Sequence, residues 1–356
     1  MSIDKYQLFL FIYPLVFLIL SQLSLDRVNF RFLLELLIYV NCFFMAVRDP
    51  AIGIDTVTYV KIFESLDFNL YPLTIDPLFE ILIRTLHIFS NDGRFFLFVC
   101  YFIISFNIIS SLKRIDRKGC YLAYSIFMVS FLYFNMNFNI LRQAISISFL
   151  LQYISLLYVR CYKKSLICIL IASFFHVSSV VLIGLFFLYK IKNTNKTIVL
   201  MIASIIFFFA FEPIVSISGA LSPYHWTFDK LYRYTTWEYS NPFQFKVQYI
   251  LTLFLFTGYF YFYRKKTSEN FHRFIILGFL YGVVVVSLFS FDEMVADRIF
   301  YVFFFYNFLI VSRVYQDLII RTPIMVYIFF LMMSAWCIKT VYIQFPVWFV
   351  YKTFLD

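Results

Sequence analysis

The chain has 356 residues, of which 62% are hydrophobic and 14% charged, with 51 Phe and 28 Tyr against 8 Gly and 9 Pro. Soluble domains are closer to half apolar and a quarter charged, so this composition excludes a soluble domain, a disordered chain, a collagen and a disulfide scaffold. The net charge of +10, in a chain whose mean hydropathy is +0.83, points to basic cytoplasmic loops rather than to nucleic acid.

In chain order, apolar segments fall at 6–25, 31–47, 95–112, 119–138, 142–159, 166–189, 197–215, 244–263, 274–291, 299–318 and 323–345. They are continuous rather than alternating, which argues against a β-barrel. At roughly 20 residues per span, the chain reads as an all-α polytopic membrane protein of about ten transmembrane helices plus one re-entrant broken helix. Residues 1–356 then form a single integral membrane domain, and the apolar start is a retained first span rather than a signal peptide. The six cysteines form no CxxC pair and read as small packing residues.

Lys and Arg set the orientation. The short loops 113–118, 160–165, 190–196 and 264–273 are basic and expected in the cytoplasm. Loops 160–165 and 190–196 flank one apolar segment, 166–189, whose centre holds Ser173, His176, Ser178 and Ser179. A segment that enters and returns on one side, broken near His176, lets both loops face the cytoplasm, and irregular backbone at that depth is tolerated where protein covers it. The long loops 48–94 and 216–243 are then extracytoplasmic. Within the first, 77–89 has helical spacing and reads as a helix lying on the membrane.

That orientation gathers the unusual residues on the outward side. Arg48 and Asp55 open the first long loop, Arg142 starts a span, His176 marks the re-entrant apex, and Asp297 and Arg298 lie in the turn FDEMVADRIF. Ionisable groups near bilayer depth need a partner or a polar cavity. Plainer readings exist for each: Arg48 as a head-group marker, Asp55 and Thr56 as helix caps, Asp297 and Arg298 as a local ion pair, and His176 as a packing residue. The loop 216–243 is dense in aromatics, Trp226 and Trp237 among them. These suit an interfacial belt or platforms for sugar rings. Walker A, HExxH and GxSxG patterns are absent, so ATP use and zinc or serine peptidase chemistry have no support.

Four motifs occur in order: Arg48-x4-Gly53-x-Asp55-Thr56-x2-Tyr59-x3-Phe63, Leu141-Arg142-Gln143-Ala144, Ala172-Ser173-Phe174-Phe175-His176-x-Ser178, and Asp297-Arg298. Together they resemble the EpsG-type branch of the Wzy-like polysaccharide polymerases. The resemblance implies a fold like that of membrane-embedded glycosyltransferases with polyprenyl-linked donors, in a bacterial inner membrane with the active site facing the periplasm. The implied reaction moves a growing glycan from undecaprenyl diphosphate to the non-reducing end of a new lipid-linked repeat unit. Arg48, Arg142 and Arg298 would bind the diphosphate, because guanidinium stays charged and grips phosphate through a planar fork. Asp55, Asp297 or His176 would be the base. Tyr59, Gln143, Trp226 and Trp237 are candidate sugar contacts. No cofactor, metal or nucleic acid is expected; the partners are lipid-linked oligosaccharide, membrane lipid and, as a further candidate, a chain-length regulator. The alternatives are a flippase for lipid-linked oligosaccharide, which would more often show paired broken repeats, and an O-antigen ligase.

Overall fold

The computed structural model describes residues 5–23, 29–48, 53–67, 76–190, 247–263, 269–289, 293–317 and 323–338. Those residues are helical throughout, with no β-sheet among them. The elements are α1 Lys5–Leu23, α2 Asn29–Ala46, α3 Ile54–Ser65, α4 Pro77–His87, α5 Gly93–Ile115, α6 Cys120–Met128, α7 Phe131–Phe138, α8 Leu141–Tyr158 and α9 Tyr162–Phe175. A 3₁₀ segment Val177–Ile183 follows, then α10 Gly184–Lys190, α11 Val247–Tyr263, α12 Glu269–Leu288, α13 Glu293–Asp317 and α14 Pro323–Ile338. The expected span 197–215, the loop 216–243 and both Trp226 and Trp237 lie outside the described residues.

Helix α8 is the central post. Nearly every side chain on it is buried, because it packs on α5, α7, α9 and α13 together. Its sequence allows this: Ala144, Ser146, Ser148 and Ser155 are small, so neighbouring backbones come close. Polar pairs then join the helices across the packed interior. Asn107 of α5 donates to Ser148 at 3.1 Å, and the Gln152 amide donates to the Asn107 carbonyl at 2.9 Å. The outside is the reverse. Ile167, Leu170 and Phe174 form one exposed stripe on α9, and Phe32 is 78% exposed on α2. A polar interior under an apolar outer face is what a hydrocarbon surround requires. By length and composition alone, two helices within the described residues could cross a membrane, Gly93–Ile115 and Ala296–Asp317; Ile12–Gln22, Val177–Lys190 and Asn270–Val286 are shorter apolar helices.

Two local readings change and one holds. The expected single segment 119–138 divides at Val129 and Ser130 into α6 and α7, where the Ser130 hydroxyl turns back to the Phe127 carbonyl at 2.6 Å. The helical spacing expected over 77–89 is α4, which buries Phe79 and Ile83. Asp55 and Thr56 do not cap α3: Gly53 is the N-cap and no side chain caps it.

The segment after α8 breaks at His176 and returns. α9 ends where His176 turns extended, at φ −160° and ψ 119°. Val177, Val180 and Val181 are stiff at χ1, and Ser173 bonds back to the Ile169 carbonyl at 2.7 Å, so the α-helix is weak here. The 3₁₀ segment and α10 then run back to the starting level. The Phe186 ring lies 5.9 Å from the Tyr162 ring, and the Lys190 ammonium 5.7 Å from it. Tyr158 and Tyr189 both pack on Phe274, at 4.9 and 5.9 Å. The two ends of 162–190 therefore sit together, and the chain folds back on itself across the break. Hydroxyls from the surrounding helices hold the 3₁₀ segment: Tyr153 donates to the Leu182 carbonyl at 3.0 Å, and Tyr281 to that of Val181.

Candidate functional site

Helix α7 ends in a knot that fixes the start of α3. The last carbonyls of a helix have no partner inside it and carry partial negative charge. Here Arg48 supplies the cation. Its guanidinium donates to the Asn137 carbonyl at 2.9 Å, the Met45 carbonyl at 2.8 Å, the Tyr101 hydroxyl at 2.6 Å and the Thr56 hydroxyl at 3.2 Å. It lies 4.5 Å over the Phe138 ring. The Thr56 hydroxyl donates to the Phe138 carbonyl at 2.6 Å, and Tyr101 to Asn137 at 2.8 Å. Arg48 is 0% exposed. Four of its bonds go to protein oxygens, so the side chain braces two segments.

Gly53 is explained by the same knot. Its φ is +123°, and a Cβ there would sit 1.9 Å from the Phe138 carbonyl oxygen. Only glycine allows both the conformation and the approach. The result is that α3 begins against the end of α7 and carries Asp55 in its first turn.

Arg142 sits in the first turn of α8. Its Nη1 forms an ion pair with Asp76 at 2.8 Å, and its Nε donates to the Tyr59 hydroxyl at 3.1 Å. Asp76 is 0% exposed. Asp76 occupies the N-cap position of α4, before a proline, yet makes no side-chain cap bond; its carboxylate goes to Arg142. Tyr59 is therefore committed to Arg142 and is buried, rather than standing open as a sugar platform. Gln143, one residue on, donates through Nε2 to the Arg298 carbonyl at 2.9 Å, which locks the start of α8 to the start of α13.

Asp55 closes the group. It is half-buried. Burial pushes its carboxyl pKa above the ordinary value, while the charges of Arg298 and Arg142 pull it down. The attraction is electrostatic, with no direct hydrogen bond to Asp55 among the described residues. Residues 55, 142 and 298 thus lie near enough for their charges to act on one another, although 243 positions separate the first from the last. Asp297 adjoins Arg298 on α13, and consecutive helical residues do not share a face.

His176 is 5% exposed, with Nδ1 2.7 Å from the Ser178 hydroxyl. Ser146 reaches across from α8 to the Ala172 carbonyl at 2.8 Å and to Ser179. Ser146 is one helical turn beyond Arg142 on the same face, so the break lies one turn from the arginine. Among the described residues, no group of three His, Cys, Asp or Glu is placed to hold a metal ion.

Helices with an apolar outer face, and two arginines and a carboxylate near one end of a buried post, define a helical membrane protein with a charged region in its interior. The chain belongs to the EpsG family, a Wzy-like polymerase family, whose model matches residues 36–353. Neither a curated protein nor a solved structure matches it. Membership supports a transferase role of the polysaccharide-polymerase kind.

Proposed function

We propose that this chain joins lipid-linked glycan repeats in a bacterial inner membrane, transferring the growing glycan from undecaprenyl diphosphate to a hydroxyl of a new lipid-linked unit on the periplasmic side. The observation that supports the reading is the tie of the Arg298 backbone to the start of α8 through Gln143, at 2.9 Å, with the charges of Arg298 and Arg142 acting on Asp55. The acceptor hydroxyl oxygen bonds to the anomeric carbon of the donor sugar. The bond from that carbon to the diphosphate oxygen breaks, and its electron pair leaves with undecaprenyl diphosphate. Charge grows on the leaving group, so fixed guanidinium charge beside it lowers the barrier. Arg142 and Arg298 take that role. Asp55 accepts the proton of the attacking hydroxyl, since a partly desolvated carboxylate is a stronger base than an exposed one.

The remaining residues support these three. Arg48 holds the α3 start rather than the phosphate. Tyr59 and Asp76 aim Arg142. His176 shapes the break that lets α8 reach the site. Asp297 stands beside Arg298 without taking the base role. Trp226 and Trp237 remain candidate contacts for the sugar chain, and a chain-length regulator a candidate partner. Deletion of the gene, with gel analysis of the cell's polysaccharide, tests the reading. Glycan limited to a single repeat supports polymerisation. Loss of the repeat altogether refutes it in favour of export or ligation.

A further inference from the structure

The Gln143 side chain is 4% exposed, and its Oε1 has no hydrogen-bond partner among the described residues. Buried polar atoms are nearly always satisfied, and an orphan calls for an explanation. Amide orientation is usually ambiguous between oxygen and nitrogen. Here it is not, because the other amide atom lies 2.9 Å from the Arg298 carbonyl oxygen. A flipped amide would place two acceptors face to face. Nε2 is therefore the donor to Arg298, and Oε1 is an acceptor waiting for a donor.

Its position says what donor. Gln143 is bonded through Nε2 to the backbone carbonyl of Arg298, so its amide lies where the start of α8 meets the start of α13. Under the reading above, the Arg142 and Arg298 guanidiniums face the diphosphate, and the group joined to a diphosphate is the first sugar of the donor. The anomeric carbon has two ring neighbours. One is the ring oxygen, an acceptor, which Oε1 would repel. The other is C2, whose hydroxyl or acetamido group carries a hydrogen.

We propose that Gln143 Oε1 accepts a hydrogen bond from the C2 substituent of the sugar attached to the diphosphate, making Gln143 a specificity-determining residue for the donor. The inference rests on the proposed function, since it needs the arginines on the phosphates. A site built around a hydrogen bond discriminates strongly against an analogue lacking the donor, because the protein atom is then left buried and unpaired.

The test uses the purified full chain in detergent and three probes: geranyl diphosphate, geranyl-diphosphate-linked N-acetylglucosamine, and the same lipid carrying 2-deoxyglucose. The wild-type chain should bind the N-acetylglucosamine probe about three- to tenfold more tightly than the 2-deoxy probe, the range of one neutral hydrogen bond. Gln143→Met, close in shape, should abolish that difference; it also loses the Nε2 bond to the Arg298 carbonyl, so the ratio between the two sugar probes, and not the affinity for geranyl diphosphate, is the readout. A merely structural role would weaken all three probes alike, keep the wild-type ratio of the two sugar probes and overturn the proposal. Equal wild-type affinity for the two sugar probes would overturn it too, and needs no variant to fold. If geranyl diphosphate itself fails to bind the wild-type chain, the proposed function falls first. If it binds while the sugar probes are not distinguished, only the role of Gln143 falls.

Discussion

Arg142→Lys keeps the charge and should still cripple the chain. Arginine spreads its contacts over separate nitrogens: Nη1 to Asp76 at 2.8 Å, Nε to Tyr59 at 3.1 Å. Lysine offers one nitrogen. It will be drawn to the buried Asp76 carboxylate, because leaving that charge alone in the interior would cost roughly 3–5 kcal/mol. The Tyr59 bond is lost, and with it the planar face offered to phosphate. A hydrogen bond to a charged group is worth about 1.5–3 kcal/mol, which is roughly one to two decades in rate. The assay is initial rate of polymer formation by the reconstituted chain, with folded protein equalised by size-exclusion chromatography. Arg142→Ala should fall at least as far. A wild-type rate in Arg142→Lys would refute the view that geometry, beyond charge, matters at this position.

Asp55→Asn should lower the rate by about two to four decades, the span typical of a lost general base. Burial raises the Asp55 pKa and Arg298 opposes that rise. Arg298→Gln should therefore raise it further, and since the base works deprotonated, the acid limb of the rate profile should move to higher pH; a shift to lower pH would contradict the pairing. Gly53→Ala should destabilise the α3 start by about 1–3 kcal/mol from backbone strain alone, more with the Phe138 clash, and thermal unfolding together with activity should show the loss. Cysteines placed at Lys163 and Lys190, in a Cys161→Ser background, should react with an impermeant reagent from the same side of the membrane; labelling from opposite sides would break the hairpin account.

The fold-back at His176 was legible because two basic loops around one apolar segment call for a chain that returns. The Arg142 position was legible because a guanidinium directly before an apolar helix needs a partner. That partner was not. Asp76 precedes Pro77, where an acidic residue reads as a helix cap, and only the fold shows its carboxylate turned to α8. Arg48 read as a ligand for the same kind of reason: the carbonyls of Asn137 and Phe138 that hold its segment lie about ninety residues on, and no local pattern announces them. Tyr59 follows Arg142 in this respect. The division of 119–138 was hidden because both halves are apolar and nothing but Ser130 marks the joint.

The central claim is that repeats are joined at Asp55 with release of the diphosphate lipid. Mass spectrometry of products from the reconstituted chain, supplied with its polyprenyl-diphosphate-linked repeat unit, tests it most directly. The account predicts lipid-linked glycans growing by whole repeats, one free polyprenyl diphosphate per new bond, and both products formed about two to four decades more slowly by Asp55→Asn. Single repeats carried across the bilayer without growth, or undiminished growth in Asp55→Asn, would contradict it.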